Sequence, residues 1–225
     1  MSEPAAAPAD ANQDAATWKT ELEALSKKGG AVVMGVADPQ AFGAAMEGHR
    51  PTDFLPKAKS VIVLGGAQPR AGDWLSPKYQ HMDVSSTTDR VNALCNRMAQ
   101  HIERTYGYYA VNVPPGVDSG GQPFVSLALA AELAGCGSAS IAGPVLHPEH
   151  GFMYYGAVIT TLPLEPSPAP ARPACPAEEC VEMWKESATT PCLSVCPIGE
   201  GGCLGGSIDE NGAIASRQYD QARCR

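Results

Sequence analysis

Apolar residues fall into two rhythms along this chain. In the first, Val91, Leu94, Cys95, Met98, Ala99 and Ile102 recur at i, i+3, i+4, i+7, i+8 and i+11, the single stripe of an amphipathic helix. Ser85, Ser86 and Thr87 precede that stripe and Gly107 stops it. Trp18, Leu22 and Leu25 set out a second helix over Ala15 to Ser26, ended by Lys27, Lys28 and Gly29 as a C-terminus should be. Phe124 to Ala134 is rich in leucine and alanine, with Pro123 placed as its first residue and Gly135 as its stop. That third helix is apolar nearly all round and is expected to be deeply buried. The second rhythm is the short continuous apolar run. "AVVMGVA" (Ala31 to Ala37), "SVIVLGGA" (Ser60 to Ala67) and "YYAVNV" (Tyr108 to Val113) read as strands. Shorter strands are expected around Ile141 and Val145-Leu146, and the longest run is "FMYYGAVITTLPL", Phe152 to Leu164.

Proline and polar residues punctuate these elements. Pro39, Pro51 and Pro56 mark a polar connection between the first two strands, and Tyr79, His81 and Asp83 are read as a polar loop after the second, a candidate pocket rim. "EPSPAPARPA", Glu165 to Ala174, reads as an extended proline-rich linker. The expected organisation is a disordered lead over residues 1–14, an α/β or α+β domain over 15–164, the linker over 165–174, and a cysteine-rich segment over 175–225. That last segment has few apolar residues, so a bound metal centre is expected to hold it.

At 225 residues the chain can build one substantial core. With 16 Lys+Arg against 24 Asp+Glu, it lacks the basic excess that a nucleic-acid backbone partner calls for. No stretch approaches the ~20 apolar residues of a membrane span. The start, MSEPAAAPADANQD, has neither the basic beginning nor the apolar centre of a signal peptide, which points to the cytoplasm. Thiols stay reduced there, so the 8 cysteines point to metal or redox chemistry before disulfides.

Their spacing refines this. Cys175, Cys180, Cys192 and Cys196-Pro197 are followed by Cys203 and Cys224. "CLSVCP" reproduces the second half of the ferredoxin-type C-x2-C-x2-C-x3-C-P run, while the first half is stretched by an insertion. Zinc sites favour paired C-x2-C spacings, which are missing. An iron–sulfur cluster therefore ranks ahead of a zinc staple, and zinc ahead of disulfides. The candidate ligands are Cys175, Cys180, Cys192 and Cys196, with Cys203 and Cys224 in reserve. Cys95 and Cys136 are read as structural. His147 and His150, three apart in a proline-containing turn, are read as exposed loop residues.

Six segments in order resemble the epoxyqueuosine reductase-like iron–sulfur proteins, whose cobalamin-binding fold recurs in reductive dehalogenases. They are Gly30 to Ala37, "SVIVLGGA", the Val117-Asp118-Ser119 turn, "AAELAGCG" (Ala130 to Gly137), "GAVITTLPL" (Gly156 to Leu164) and the cysteine segment. After Gly137 the chain departs from the family pattern: Ser138 to Pro144 stands where the family carries Gly-Lys-Asn. The resemblance implies a nitroreductase-like α+β sandwich followed by a 4Fe–4S segment. It implies a reductase passing electrons from that cluster to a bound cofactor or substrate, with cobalamin as the cofactor. By position, Asp118 inherits the role of proton donor, and Ser119, Gly137 and Ser140 line the cofactor. An electron donor such as ferredoxin or flavodoxin, a small-molecule substrate and a tRNA substrate are the partners implied. Two other readings stay open: a non-enzymatic cobalamin-binding or electron-carrier module, and a zinc-stapled structural domain.

Overall fold

Strand β2 (Ser60–Gly66) is buried at every position, and the fold is organised around it. In the computed structural model, which describes residues 11–69, 77–195, 202–220 and 222–223, the chain divides into two compact units. The first comprises Met1–Cys136 and Met153–Ala169, the second Gly137–Phe152 and Pro170–Arg225.

In the first unit β2 lies between β1 (Val33–Ala37) and β7 (Tyr154–Thr160), and β3 (Ala110–Val113) takes the far side of β7. Every pairing in this sheet is antiparallel, so the class is α+β. A strand buried on both faces needs an apolar cover on each, which explains the run Val61, Ile62, Val63, Leu64 without polar alternation. One cover is α3 (Pro77–His101), whose stripe of Val91, Leu94, Cys95, Met98 and Ala99 packs with Ile62, Leu64 and Val158. Helix α1 (Ala11–Lys28) joins that layer through Leu22, and its Trp18 ring stands 5.5 Å from Tyr106 and 5.6 Å from Tyr108. The other cover is α4 (Leu127–Leu133), which packs against β1, β2 and β7.

The α3 stripe was legible, but the helix begins earlier than the serines at 85 and 86 suggested. The chain is already helical at Pro77, so His81 and Asp83 belong to the helix and not to a loop. Helix α4 starts later than expected. Ser126 caps it by accepting the Leu129 N–H at 3.3 Å, leaving Pro123 three residues outside. Ala128 is exposed, so α4 buries one face rather than its whole circumference. A short helix, α2 (Pro51–Phe54), interrupts the connection from β1 to β2.

After β7 the chain is held against β1 at one residue: Ser167 donates its N–H to the Val36 carbonyl at 2.8 Å and accepts the Val36 N–H on Oγ at 3.1 Å.

In the second unit β4 (Ser138–Ala139), β5 (Val145–His147) and β6 (Gly151–Phe152) form a small antiparallel sheet. The strand expected at Ile141 therefore lies just before it, and Ile141 sits in the following turn, 1% exposed. The cysteine segment holds α5 (Glu178–Ser187), the short α6 (Pro191–Ser194) and the hairpin of β8 (Leu204–Ile208) with β9 (Ile214–Tyr219). Gly206 of β8 lies against Ile141, so the hairpin has an apolar partner from the 137–152 stretch. Among the described residues no helix is long and apolar enough to cross a membrane.

Glycines let the covers approach the sheet. A Cβ at Gly35 would meet the Ala134 carbonyl oxygen at 2.0 Å and Cys136 Sγ at 2.8 Å, while one at Gly156 would meet Cys95 Sγ at 2.8 Å. Gly35→Ala is therefore expected to lower stability by about 1–3 kcal/mol, the range for overpacking a filled core. Gly43→Ala, with nothing within 4 Å of its added methyl, is the control expected to be neutral or slightly stabilising. Urea unfolding of the two variants side by side checks the contrast.

Candidate functional site

In the first unit the turn Gly116 to Gln122 is built around Asp118. Its Oδ1 accepts the N–H groups of Gly120 at 2.8 Å and Gln122 at 2.9 Å, and its own N–H donates to the Gln122 carbonyl at 2.7 Å. Gln122 is thus the largest influence, and together with Gly120 and the His49 ring it holds the carboxyl below the usual aspartate range. Asp118 is ionised at neutral pH, and its side chain serves its own turn. Ser119, beside it in the same turn, is exposed.

Sequence reading passed over His49. Its Nδ1 lies 2.8 Å from the Pro123 carbonyl oxygen, which can only accept, so Nδ1 carries hydrogen. Its Nε2 lies 3.8 Å from Asp118 Oδ2. "EGHRP" has no motif to announce this. Only the fold brings residue 49 to the Asp118 turn.

The second unit holds the cysteines. Cys175 precedes α5, Cys180 lies in its first turn, and Cys192 lies in the first turn of α6. Burial pushes the Cys175 thiol up; the Ile141 N–H, 3.4 Å from its sulfur, opposes this, Cys192 and Cys180 add to the rise, and Arg217 on β9 counters it. Cys180 and Cys192 thus both lie within electrostatic reach of Cys175, and none of the three is in a disulfide. Thr190 Oγ1 stands 3.2 Å from Cys192 Sγ. Cys203 is buried at the start of the hairpin, and its carbonyl accepts the Asp220 N–H at 2.8 Å. Cys196 and Cys224 lie outside the described residues. Among the described residues no group of three His, Cys, Asp or Glu is gathered closely enough for a single metal ion. Thiols are soft donors of the kind that suit zinc or iron–sulfur clusters. These three come from the loop before α5, from α5 and from α6, with the Ile141 N–H directed at the Cys175 sulfur and the Thr190 hydroxyl beside that of Cys192.

Gly137 and Ser140 have structural duties in the β4–β5 hairpin. A Cβ on Gly137 would meet the Leu146 carbonyl at 2.7 Å, and Ser140, buried, donates its N–H to the Pro144 carbonyl at 2.8 Å. His147 and His150 stack with ring centroids 4.8 Å apart, and His147 Nδ1 accepts the Glu149 N–H at 3.1 Å. Cys95 and Cys136 are buried thiols whose burial pushes them up to about 12, which makes both inert. A cavity of about 700 Å³ in the first unit is lined by α1 residues including Lys19 and Glu23 and by Pro163 to Glu165, and it contains none of the candidate residues.

No family model matches the sequence, and no curated protein matches it. Solved structures do. An epoxyqueuosine reductase with a tRNA-Tyr stem loop superposes at TM-score 0.53 and 20% identity, over 75% of this chain and 52% of that one. The epoxyqueuosine reductase from Streptococcus thermophilus gives 0.52 and 19%, over 73% and 51%. A catabolic reductive dehalogenase in complex with 3-bromo-4-hydroxybenzoic acid gives 0.58 and 20%, over 98% of this chain and 30% of that one. The fold is that of epoxyqueuosine reductases and reductive dehalogenases. This chain spans about half the length of those epoxyqueuosine reductases and less than a third of that dehalogenase.

The Asp118 geometry has a pH signature. Because its folded-state value lies below the unfolded one, the stabilisation by its carboxylate is complete above about pH 4 and fades as the pH falls through the depressed value. Asp118→Asn is expected to remove that dependence, so the stability difference between parent and variant should shrink on acidification. Urea midpoints of both proteins at a series of pH values between about 2 and 6 check this.

Proposed function

We propose that this chain is an iron–sulfur reductase module in which Cys175, Cys180, Cys192 and Cys196 hold one 4Fe–4S cluster, with Cys203 and Cys224 in reserve. The observation that carries the reading is the nearness of Cys180 and Cys192 to Cys175, with the Ile141 N–H at the Cys175 sulfur and the Thr190 hydroxyl beside that of Cys192. When bound, such a cluster supplies single electrons at a potential set by its surroundings. The cysteines would hold it, the Ile141 N–H and the Thr190 hydroxyl would steady the sulfurs, and Arg217 would offset part of the negative charge.

The electrons would pass to a bound cofactor or small-molecule substrate. Cobalamin, which supplies a reducible cobalt centre when bound, is the cofactor suggested by analogy with the shared fold. Gly137 and Ser140 are occupied in their hairpin. Protons are assigned to the His49–Asp118 pair, whose Nε2 and Oδ2 stand 3.8 Å apart. A ferredoxin- or flavodoxin-type protein would supply the electrons, and tRNA is the substrate suggested by the epoxyqueuosine reductases.

One observation favours a second reading, an electron carrier without catalysis. A proton-donating carboxylic acid must stay protonated near neutral pH, whereas the Asp118 turn holds its carboxyl ionised.

Protein purified without oxygen is expected to contain about four irons and four acid-labile sulfides per chain, with a broad band near ~400 nm that bleaches on reduction. Cys192→Ser should lose most of that iron, while Cys95→Ala should keep it. Zinc without sulfide would overturn the reading. Adding hydroxocobalamin to the loaded protein then separates the two alternatives, because a reductase of this fold should perturb the cobalamin spectrum and a bare carrier should not.

A further inference from the structure

Thr190 occupies the residue before α6, where a threonine hydroxyl ordinarily accepts an N–H from the first helical turn. It makes no such bond. The Thr190 carbonyl accepts the Leu193 and Ser194 N–H groups at 3.1 and 2.9 Å, and the hydroxyl turns instead to Cys192 Sγ at 3.2 Å. Thr190 is 0% exposed, so water cannot substitute for that sulfur as its partner. A thiolate has no hydrogen to give, so once Cys192 is a ligand the direction is fixed: Oγ1–H donates and sulfur accepts.

We propose that Thr190 sets the reduction potential of the cluster held by Cys192, by donating its hydroxyl hydrogen to that ligand sulfur. The inference rests on the cluster reading above and adds a role for one residue outside the ligand set. One-electron reduction adds a negative charge that is shared with the ligand sulfurs. A fixed O–H dipole aimed at one of them therefore stabilises the reduced state more than the oxidised state and raises the potential. Buried from water, that dipole faces little competing solvation. The Ile141 N–H acts in the same sense on Cys175, from a backbone position that side-chain substitution leaves in place. Thr190 is a positioning and tuning residue and does not itself touch the reacting atoms.

The test uses the full chain, purified without oxygen, as parent, Thr190→Val and Thr190→Ser. Valine keeps the shape and removes the hydroxyl; serine keeps the hydroxyl. Iron and sulfide are measured first, and each protein is then titrated with dithionite while the reduced cluster is followed by electron paramagnetic resonance. The expected result is equal iron content in all three proteins, a midpoint shifted to more negative potential in Thr190→Val, and a midpoint restored toward the parent in Thr190→Ser. An unchanged midpoint in a fully loaded Thr190→Val overturns the inference and leaves the cluster reading intact. Loss of iron from Thr190→Val with a loaded parent overturns it too, by making Thr190 an assembly residue. A parent without iron and sulfide brings down the cluster reading, and this inference with it.

Discussion

The burial of β2 on both faces is the constraint from which most of the first unit follows. A strand with no solvent side cannot alternate, so beyond Ser60 its side chains are aliphatic or absent, and each face must be roofed by a helix. The roofs come close where the sheet omits a side chain, at Gly66 and Gly156 under α3 and at Gly35 under the end of α4. The long excursion from β2 to β7 is a consequence of the same geometry. β7 must slot between β2 and β3, so α3, β3, α4 and the residues up to Phe152 are all threaded before the sheet is completed. The polar residue of this strand is matched: buried Ser60 donates to the Leu162 carbonyl at 2.8 Å and accepts the Leu164 N–H at 2.9 Å.

This architecture was legible in the sequence to the degree that burial alone dictated it. The α3 stripe and the cores of β1, β2 and β7 could be read because packing leaves a periodic or continuous apolar trace. The misplaced boundaries were at local chemistry: Ser126, not Pro123, begins α4, and α3 is already helical at Pro77. Helix α5 was missed because its residues fall between cysteines and read as an insertion in a ligand run, and none of them is buried. The β8–β9 hairpin was missed for a similar reason, since its glycines and polar residues gain their partner from Ile141, far away in sequence.

The candidate sites divide along the same line. Cysteine spacing is a local signal and named the thiols, whereas the Ile141 amide and the Thr190 hydroxyl beside them are backbone or uncharged and have no signature. Neither "TTPC" nor "SASIAG" would suggest that a hydroxyl and an amide point at sulfur. His49 is a comparable case. Its importance comes from the Pro123 carbonyl fixing one ring nitrogen and Asp118 facing the other, a relation across more than 60 residues of chain.

The two units use hydrogen bonds to opposite ends. At Asp118, backbone amides converge on a carboxylate and hold its charge in place, which suits a group that orients or polarises a neighbour and does not suit one that surrenders a proton. At the cysteines, an amide and a hydroxyl meet sulfur, where negative charge would change with each electron. The first arrangement fixes a charge; the second responds to one. A module that moves electrons needs the second kind, and a reaction that also moves protons needs a titratable group beside the first. His49 stands beside Asp118. Proton release from Asp118 alone would require its carboxyl to take up a proton first, against the bonds from Gly120 and Gln122 that hold its charge in place.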